Sequence, residues 1–192
     1  MKKLTLISVM ALLCLMLTAQ ENTIKPLTVG DIVPDITFTN LTNYPAKAAR
    51  LSDFKGKLVI LDFWATWCGS CIRKFGSLDS LQKQNPEELR IVLINETKRS
   101  RDDQNKIENV VKKWEATNKV TFSCTISEDS VTDYNKLFLH RSVPHYVWID
   151  PKGRVIAITS SDAVTQANVS AITAGRKPVL PLKEDVILLN TH

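Results

Sequence analysis

Residues 58–71 read Leu58-Val59-Ile60-Leu61-Asp62-Phe63-Trp64-Ala65-Thr66-Trp67-Cys68-Gly69-Ser70-Cys71, an apolar run of strand length followed at once by two cysteines in C-x-x-C spacing. Near-continuous hydrophobicity from Leu58 to Phe63 predicts a central strand covered on both faces. A strand that delivers Cys68 to the first turn of a helix leaves its sulfur facing unpaired amide N–H groups and the positive end of the helix dipole. Both favour thiolate over thiol. Cys71 lies on the same helix face and can displace the first sulfur from a mixed disulfide, so the pair suits two-electron exchange. One residue interrupts the apolar run. A carboxylate at Asp62 is costly to bury and drifts toward its neutral form, which equips it to move protons; a purely structural carboxylate bonded to the backbone is the alternative.

Outward from this stretch the chain alternates between two periodicities. From Gly69 a helix is expected with Cys71, Phe75, Leu78 and Leu81 on one side, stopped by Asn85-Pro86. Residues 91–94 read as a second buried strand. Ser100 with Asp103 forms a capping-box signature ahead of Ile107, Val110, Val111 and Trp114, an amphipathic helical face. Val120, Phe122, Cys124 and Ile126 alternate with polar residues and predict a half-buried strand with Cys124 on its apolar side. A short helix over about 129–138 is expected to present Val131, Tyr134 and Phe138 to the core. Residues 146–149 and 154–159 flank Asp150-Pro151-Lys152-Gly153 as a hairpin, and 165–174 form a last helix ended by Gly175. Strand, helix, strand, helix, hairpin and closing helix imply an α/β fold: a mixed central sheet with helices on both faces.

The flanks differ in character. Lys2 and Lys3, an apolar stretch over 4–17 and Leu17-Thr18-Ala19 have the three parts of a secretory signal peptide, expected to occupy residues 1–19. Residues 20–50, with Pro26, Pro34 and Pro45 and one short strand at 36–38, read as an N-terminal extension laid over a domain spanning 51–176. Residues 177–192 form a tail whose apolar stretch 186–189 has no evident partner, either an added strand or the stump of something longer. Removal of the signal segment takes away Cys14 and two lysines, lowering the formal charge from the +5 of the full chain and leaving Cys68, Cys71 and Cys124. An odd number of cysteines in an exported chain cannot be a disulfide staple framework, so chemistry explains at least two of them. Cys124 is most simply a buried core thiol. The run Lys98-Arg99-Ser100-Arg101 reads as solvated surface, and nothing points to nucleic acid.

With Val29-Gly30-Asp31, Pro34-Asp35, residues 51–57 (LSDFKGK), WATWCGSC, and Val143-Pro144 ahead of Trp148-Ile149-Asp150-Pro151-Lys152-Gly153, the chain resembles the thioredoxin superfamily. It is closest there to the exported TlpA/ResA-like thiol-disulfide oxidoreductases, and the likeness runs over roughly 29–175. The resemblance implies a thioredoxin-like fold in which Cys68 is the exposed nucleophile and Cys71 the shielded resolving thiol. It implies that Asp62 is the base that helps deprotonate Cys71. It also implies that Pro144 is cis and that Val143 turns its backbone outward to pair with an extended substrate segment. Trp67 supplies a flat apolar rim for a protein substrate, with Trp64 either beside it or in the core. The chain departs from the family pattern at Lys74 and Gly76, where many members carry glutamate and proline, and at Ser70, where proline is common.

These readings converge on an exported thiol-disulfide oxidoreductase of the periplasm or cell envelope, working as a reductase on protein disulfides and re-reduced by a protein electron donor. It is expected to act as a monomer with no bound cofactor or metal, and to associate with membrane only if its signal segment is retained. No Gly-rich dinucleotide loop is present in the sequence. Haem attachment is disfavoured because Ile72 follows Cys71, and structural zinc because no second ligand pair accompanies the first. Two alternatives stand: a copper-binding or assembly protein using Cys68, Cys71 and His145, and a thiol peroxidase, which normally has threonine where Ala65 stands.

Overall fold

The computed structural model describes residues 25–184 and Val186. The expected signal peptide and most of the apolar stretch at 186–189 lie outside them. Strands β1 (Thr37–Phe38) and β3 (Ala49–Arg50) pair as a small antiparallel ribbon, and β2 (Leu41–Thr42) leaves it to join the main sheet. After a 3-10 turn at Leu51–Phe54 come β4 (Leu58–Phe63), α1 (Gly69–Gln84), β5 (Leu89–Glu96) and the single-turn α2 (Thr97–Ser100). Then follow α3 (Gln104–Asn118), β6 (Thr125–Asp129), the short α4 (Tyr134–Leu137), β7 (His145–Ile149), β8 (Val155–Thr159) and α5 (Gln166–Thr173). The main sheet has the order β2-β6-β5-β4-β7-β8, with β4, β5 and β6 parallel and both β7 and β8 antiparallel to their neighbours.

Period two along β4 sorts the core. Leu58 and Ile60 pack with Cys71, Phe75, Leu78, Ile107, Val111 and Val169, so α1, α3 and α5 share one face. Val59, Leu61 and Phe63 turn the other way, toward Phe38, Phe54, Tyr134 and Phe138, where the N-terminal segment and α4 form the cover. Helices thus lie on both faces, unequally. The N-terminal extension is more than a cover, because β2 is an edge strand of the sheet through its pairing of Leu41 with Ser127 and Thr42 with Ile126.

Several elements differ from their sequence reading. The cap of α3 is Asp103, whose side chain accepts from Lys106 N, while Ser100 closes α2 and Arg101 between them takes a left-handed φ of 60°. The strand expected from Val120 begins only at Thr125, and Val120 is exposed. Thr125 and Ser127, read as its solvent face, are buried: Arg90 Nη1 donates to Thr125 Oγ1 at 3.5 Å, and Ser127 Oγ donates to Thr39 O of the N-terminal segment at 3.0 Å. The helix expected from 129 shrinks to Tyr134–Leu137: Asp129 ends β6 and takes the amides of Val131 and Thr132 on its carboxylate, and Val131 is exposed. The described part of the tail returns to the body. Lys183 N donates to Ile158 O at 2.9 Å, and Val186 is buried in the second core cluster. α1 runs unbroken past Gly76, where many family members carry proline.

Candidate active site

β4 ends at Phe63, and the next five residues cross to the start of α1. Cys68 is the N-cap of that helix: its Sγ accepts from Cys71 N at 3.2 Å, and its carbonyl accepts from Ile72 N at 3.1 Å. Its sulfur therefore sits at the positive end of a 16-residue helix. Cys68 and Cys71 are joined, with S–S 2.07 Å, and Ser70 Oγ lies 3.4 Å from Cys68 Sγ. Cys71 is wholly buried, whereas Cys68 keeps 5% of its surface. That is the order expected of nucleophile and resolving thiol, but with much less exposure than the sequence reading assigned to Cys68.

The Val143-Pro144 bond is cis. His145 pairs with Phe63 across β4 and β7, so Val143 and Pro144 run on past the end of β4, alongside the segment that leads to Cys68. Val143 and Trp67 line one cavity of about 240 Å³. Trp67 is 66% exposed and Trp64 buried, which separates the two tryptophans into rim and core.

Asp62 is fully buried, on the β4 face that receives α1. Neither carboxyl oxygen has a partner at good hydrogen-bonding geometry among the described residues. Desolvation pushes its pKa up to about 8, and the nearby hydroxyl of Tyr146, its cross-strand partner, offsets this only in part. Burial likewise pushes the Cys124 thiol and the Tyr146 phenol up, with the Asp62 charge adding to both. Beneath α1 therefore lies a poorly solvated cluster of Asp62, Tyr146 and Cys124, each holding its proton more tightly than it would in water.

His145 does not join the sulfurs. Its ring stacks on His140, centroids 4.5 Å apart, and tilts against Phe63, which places it on the opposite face of the sheet from Cys71. Among the described residues no three His, Cys, Asp or Glu side chains gather where they could hold a metal ion, so the copper set of Cys68, Cys71 and His145 is not assembled.

A clamp that sequence reasoning missed holds the loop before Cys68. The buried carboxylate of Asp102 accepts from Thr66 N at 2.8 Å, from Thr66 Oγ1 at 2.5 Å and from Asn95 Nδ2 at 2.8 Å. Burial alone would raise the pKa of Asp102, but the bonds from Asn95 and Thr66 outweigh it and hold the carboxyl below its ordinary value. Next to it the Trp67 indole N–H donates to Ser100 O at 2.9 Å. No spacing rule links Thr66 to Asp102, 36 residues on. The only local trace was an aspartate directly after the basic run.

The Redoxin family profile matches residues 28–174. Thioredoxin-like protein YneN of Bacillus subtilis is 32% identical over 125 residues, 65% of this chain and 66% of that protein. The thiol-disulfide oxidoreductase ResA of Geobacillus kaustophilus is 37% identical over 75 residues, 38% of this chain and 41% of its own length. The alignments thus span just under two-thirds of the first relative and about two-fifths of the second. Among solved structures, one described as a thiol:disulfide interchange protein DsbE from Chlorobium tepidum has a TM-score of 0.59 at 26% identity, covering 77% of this chain and 97% of that one.

Proposed function

The chain belongs to the Redoxin family, and on that premise we propose that it is an exported thiol-disulfide oxidoreductase that reduces protein disulfides through Cys68 and Cys71. The observation that carries this reading is a disulfide at a helix N-terminus in which Cys68 keeps some exposed surface and Cys71 keeps none. The reduced form begins the cycle. Cys68 thiolate attacks one sulfur of the client disulfide; the client S–S bond breaks, a Cys68–client bond forms and one client thiolate leaves. Cys71 then gives its proton to the Asp62 carboxylate and attacks Cys68 Sγ. The mixed disulfide breaks, Cys68 and Cys71 join, and the second client thiolate departs. The client has gained two electrons, which a dithiol donor protein later restores to this chain.

Asp62 suits its role because a pKa near 8 lets it exchange a proton close to neutral pH. Trp67 provides the apolar landing surface. Val143, held against Pro144 beside the same cavity, offers its backbone to an extended client segment. Export to the periplasm or cell envelope is supported by the charged, apolar and small-residue parts of residues 1–19. No helix among the described residues is long and apolar enough to cross a membrane.

Trapping tests the reading. Reduced Cys71→Ser protein mixed with envelope extract should accumulate mixed disulfides at Cys68, mapped by mass spectrometry, while Cys68→Ser should accumulate none. A Cys71→Ser protein that forms no adduct, and a wild type that fails to reduce insulin disulfides, would together remove the proposal.

A further inference from the structure

The run Lys98-Arg99-Ser100-Arg101 read in the sequence as ordinary solvated surface, but the fold carries it to the disulfide. The Trp67 indole bonds to Ser100 O, so the run abuts the aromatic rim. The cavity between Trp67 and Val143 has Arg99 and Arg141 in its wall. Arg73 folds back along α1 until its Nη1 would lie 3.5 Å from a side chain begun at Gly69, next to Cys68. Arg73, Lys98, Arg99, Arg101 and Arg141 are exposed, and Lys74 is half-buried beside them in α1.

The carboxylates of the same segments are already engaged. Glu96, its side chain 13% exposed, pairs with Arg99 and His140; Asp102 is buried in the clamp on Thr66; Asp103 caps α3 and pairs with Lys106. Arg99 is held in place by Asn135 Oδ1 at 2.7 Å and His140 O at 2.6 Å, so its charge stands at a fixed point of the cavity wall. Positive charge is therefore gathered beside the Trp67 rim, one residue before Cys68.

We propose that this rim is a docking face for acidic protein segments, so that the favoured clients carry Asp or Glu beside the reactive cysteine. The proposal rests on the disulfide-exchange reading and adds the client's chemistry to it. A segment lying extended along Val143 turns alternate side chains toward the cavity. A carboxylate there meets Arg99 and Arg141, and one on the other flank of the client cysteine meets Arg73. Charge of one sign gathered around a reactive cleft raises the encounter rate of the opposite sign and does so less as salt screens it.

The test uses the reduced full-length protein and two disulfide-bonded peptides that differ only in having Asp or Lys on either side of each cysteine. The uncharged hydroxyethyl disulfide serves as a reference for the chemistry. The Asp peptide should react about tenfold faster than the Lys peptide at about 50 mM salt, and the ratio should fall below about twofold at about 500 mM. Arg101→Glu combined with Arg141→Glu should bring the low-salt ratio to one or invert it, while Lys113→Glu, on the exposed side of α3, should leave it standing. Equal rates for the two peptides, or a salt-independent ratio, overturn the docking face while reaction with hydroxyethyl disulfide upholds the exchange chemistry. Failure with hydroxyethyl disulfide instead overturns the exchange reading itself. If the double reversal abolishes sedimentation with anionic lipid vesicles and leaves the peptide ratio intact, the rim serves a lipid surface and the acidic-client proposal falls.

Discussion

A carboxyl group without good hydrogen bonds in the middle of a sheet makes Asp62 the residue whose ionisation matters most. Its pKa is near 8 in the folded protein against 3.8 ordinarily. Below about pH 4 folded and unfolded chains both hold the proton. As pH climbs toward 8 the unfolded chain ionises while the folded one does not, so the stability present at low pH is progressively lost. Asp62→Asn should therefore gain of order 3 kcal/mol over wild type at pH 7 and almost nothing at pH 4, measured by urea unfolding. In the reaction, release of the mixed disulfide by Cys71 should speed up with pH through about 8 in the wild type, and stopped-flow release should lose that rise in Asp62→Asn. Cys124 tests burial at the same scale. It is fully buried and its thiol is pushed up by desolvation, so iodoacetamide should label Cys68 in the reduced native protein and reach Cys124 only on unfolding. The C-x-x-C pair and a carboxylate inside an apolar strand were legible from residue type and spacing alone. Trp67 was read as the exposed rim and is one, whereas the burial of Trp64 was left open, because it follows the end of a strand, where period two no longer assigns faces.

The connection between β5 and α3 shows what an element adds. Its Asp102 ties down the loop that precedes α1, and its neighbour Asp103 merely starts α3, so the two aspartates give opposite expectations. Asp102→Ala strands the donors Thr66 N–H, Thr66 O–H and the Asn95 amide; a loss of about 2–3 kcal/mol is expected, with altered Trp67 fluorescence and a changed Cys68 alkylation rate. Asp103→Ala removes the cap on Lys106 N and should cost about 1 kcal/mol without touching Cys68 reactivity. Sequence patterning recognised α3 from Ile107, Val110, Val111 and Trp114 but set its start at Ser100. A capping box is a local signature, and here the left-handed Arg101 and the pull of Asn95 on Ser100 Oγ placed a separate turn there.

At the level of the whole molecule the tail binds distant parts together. Lys183 bonds through its backbone to Ile158 O and through Nζ to Ser142 O and Oγ, next to Val143, while Val186 is buried under the second face of the sheet. Ending the chain after residue 176 should cost about 2–4 kcal/mol, from one buried valine and the lost hydrogen bonds. The urea midpoint would report the loss, and faster tryptic cleavage after Arg141 would report loosening of the segment that carries Val143 and Pro144. Unchanged cleavage would mean that this segment stands without the tail.

Read as a string, the chain determined its own chemistry and its main periodicities: two thiols after an apolar strand, a carboxylate within that strand, and helices and strands in an order that demands a mixed sheet. Such features are local, set by side-chain type and by spacings of two or three to four residues. Only the folded chain decided how little of Cys68 stays exposed. It alone turned His145 away from the sulfurs, clamped Thr66 to Asp102 and brought the basic run to the rim. These depend on which sheet face each segment packs against, and that choice is made by burying surface between residues far apart in sequence, where no local pattern reports it.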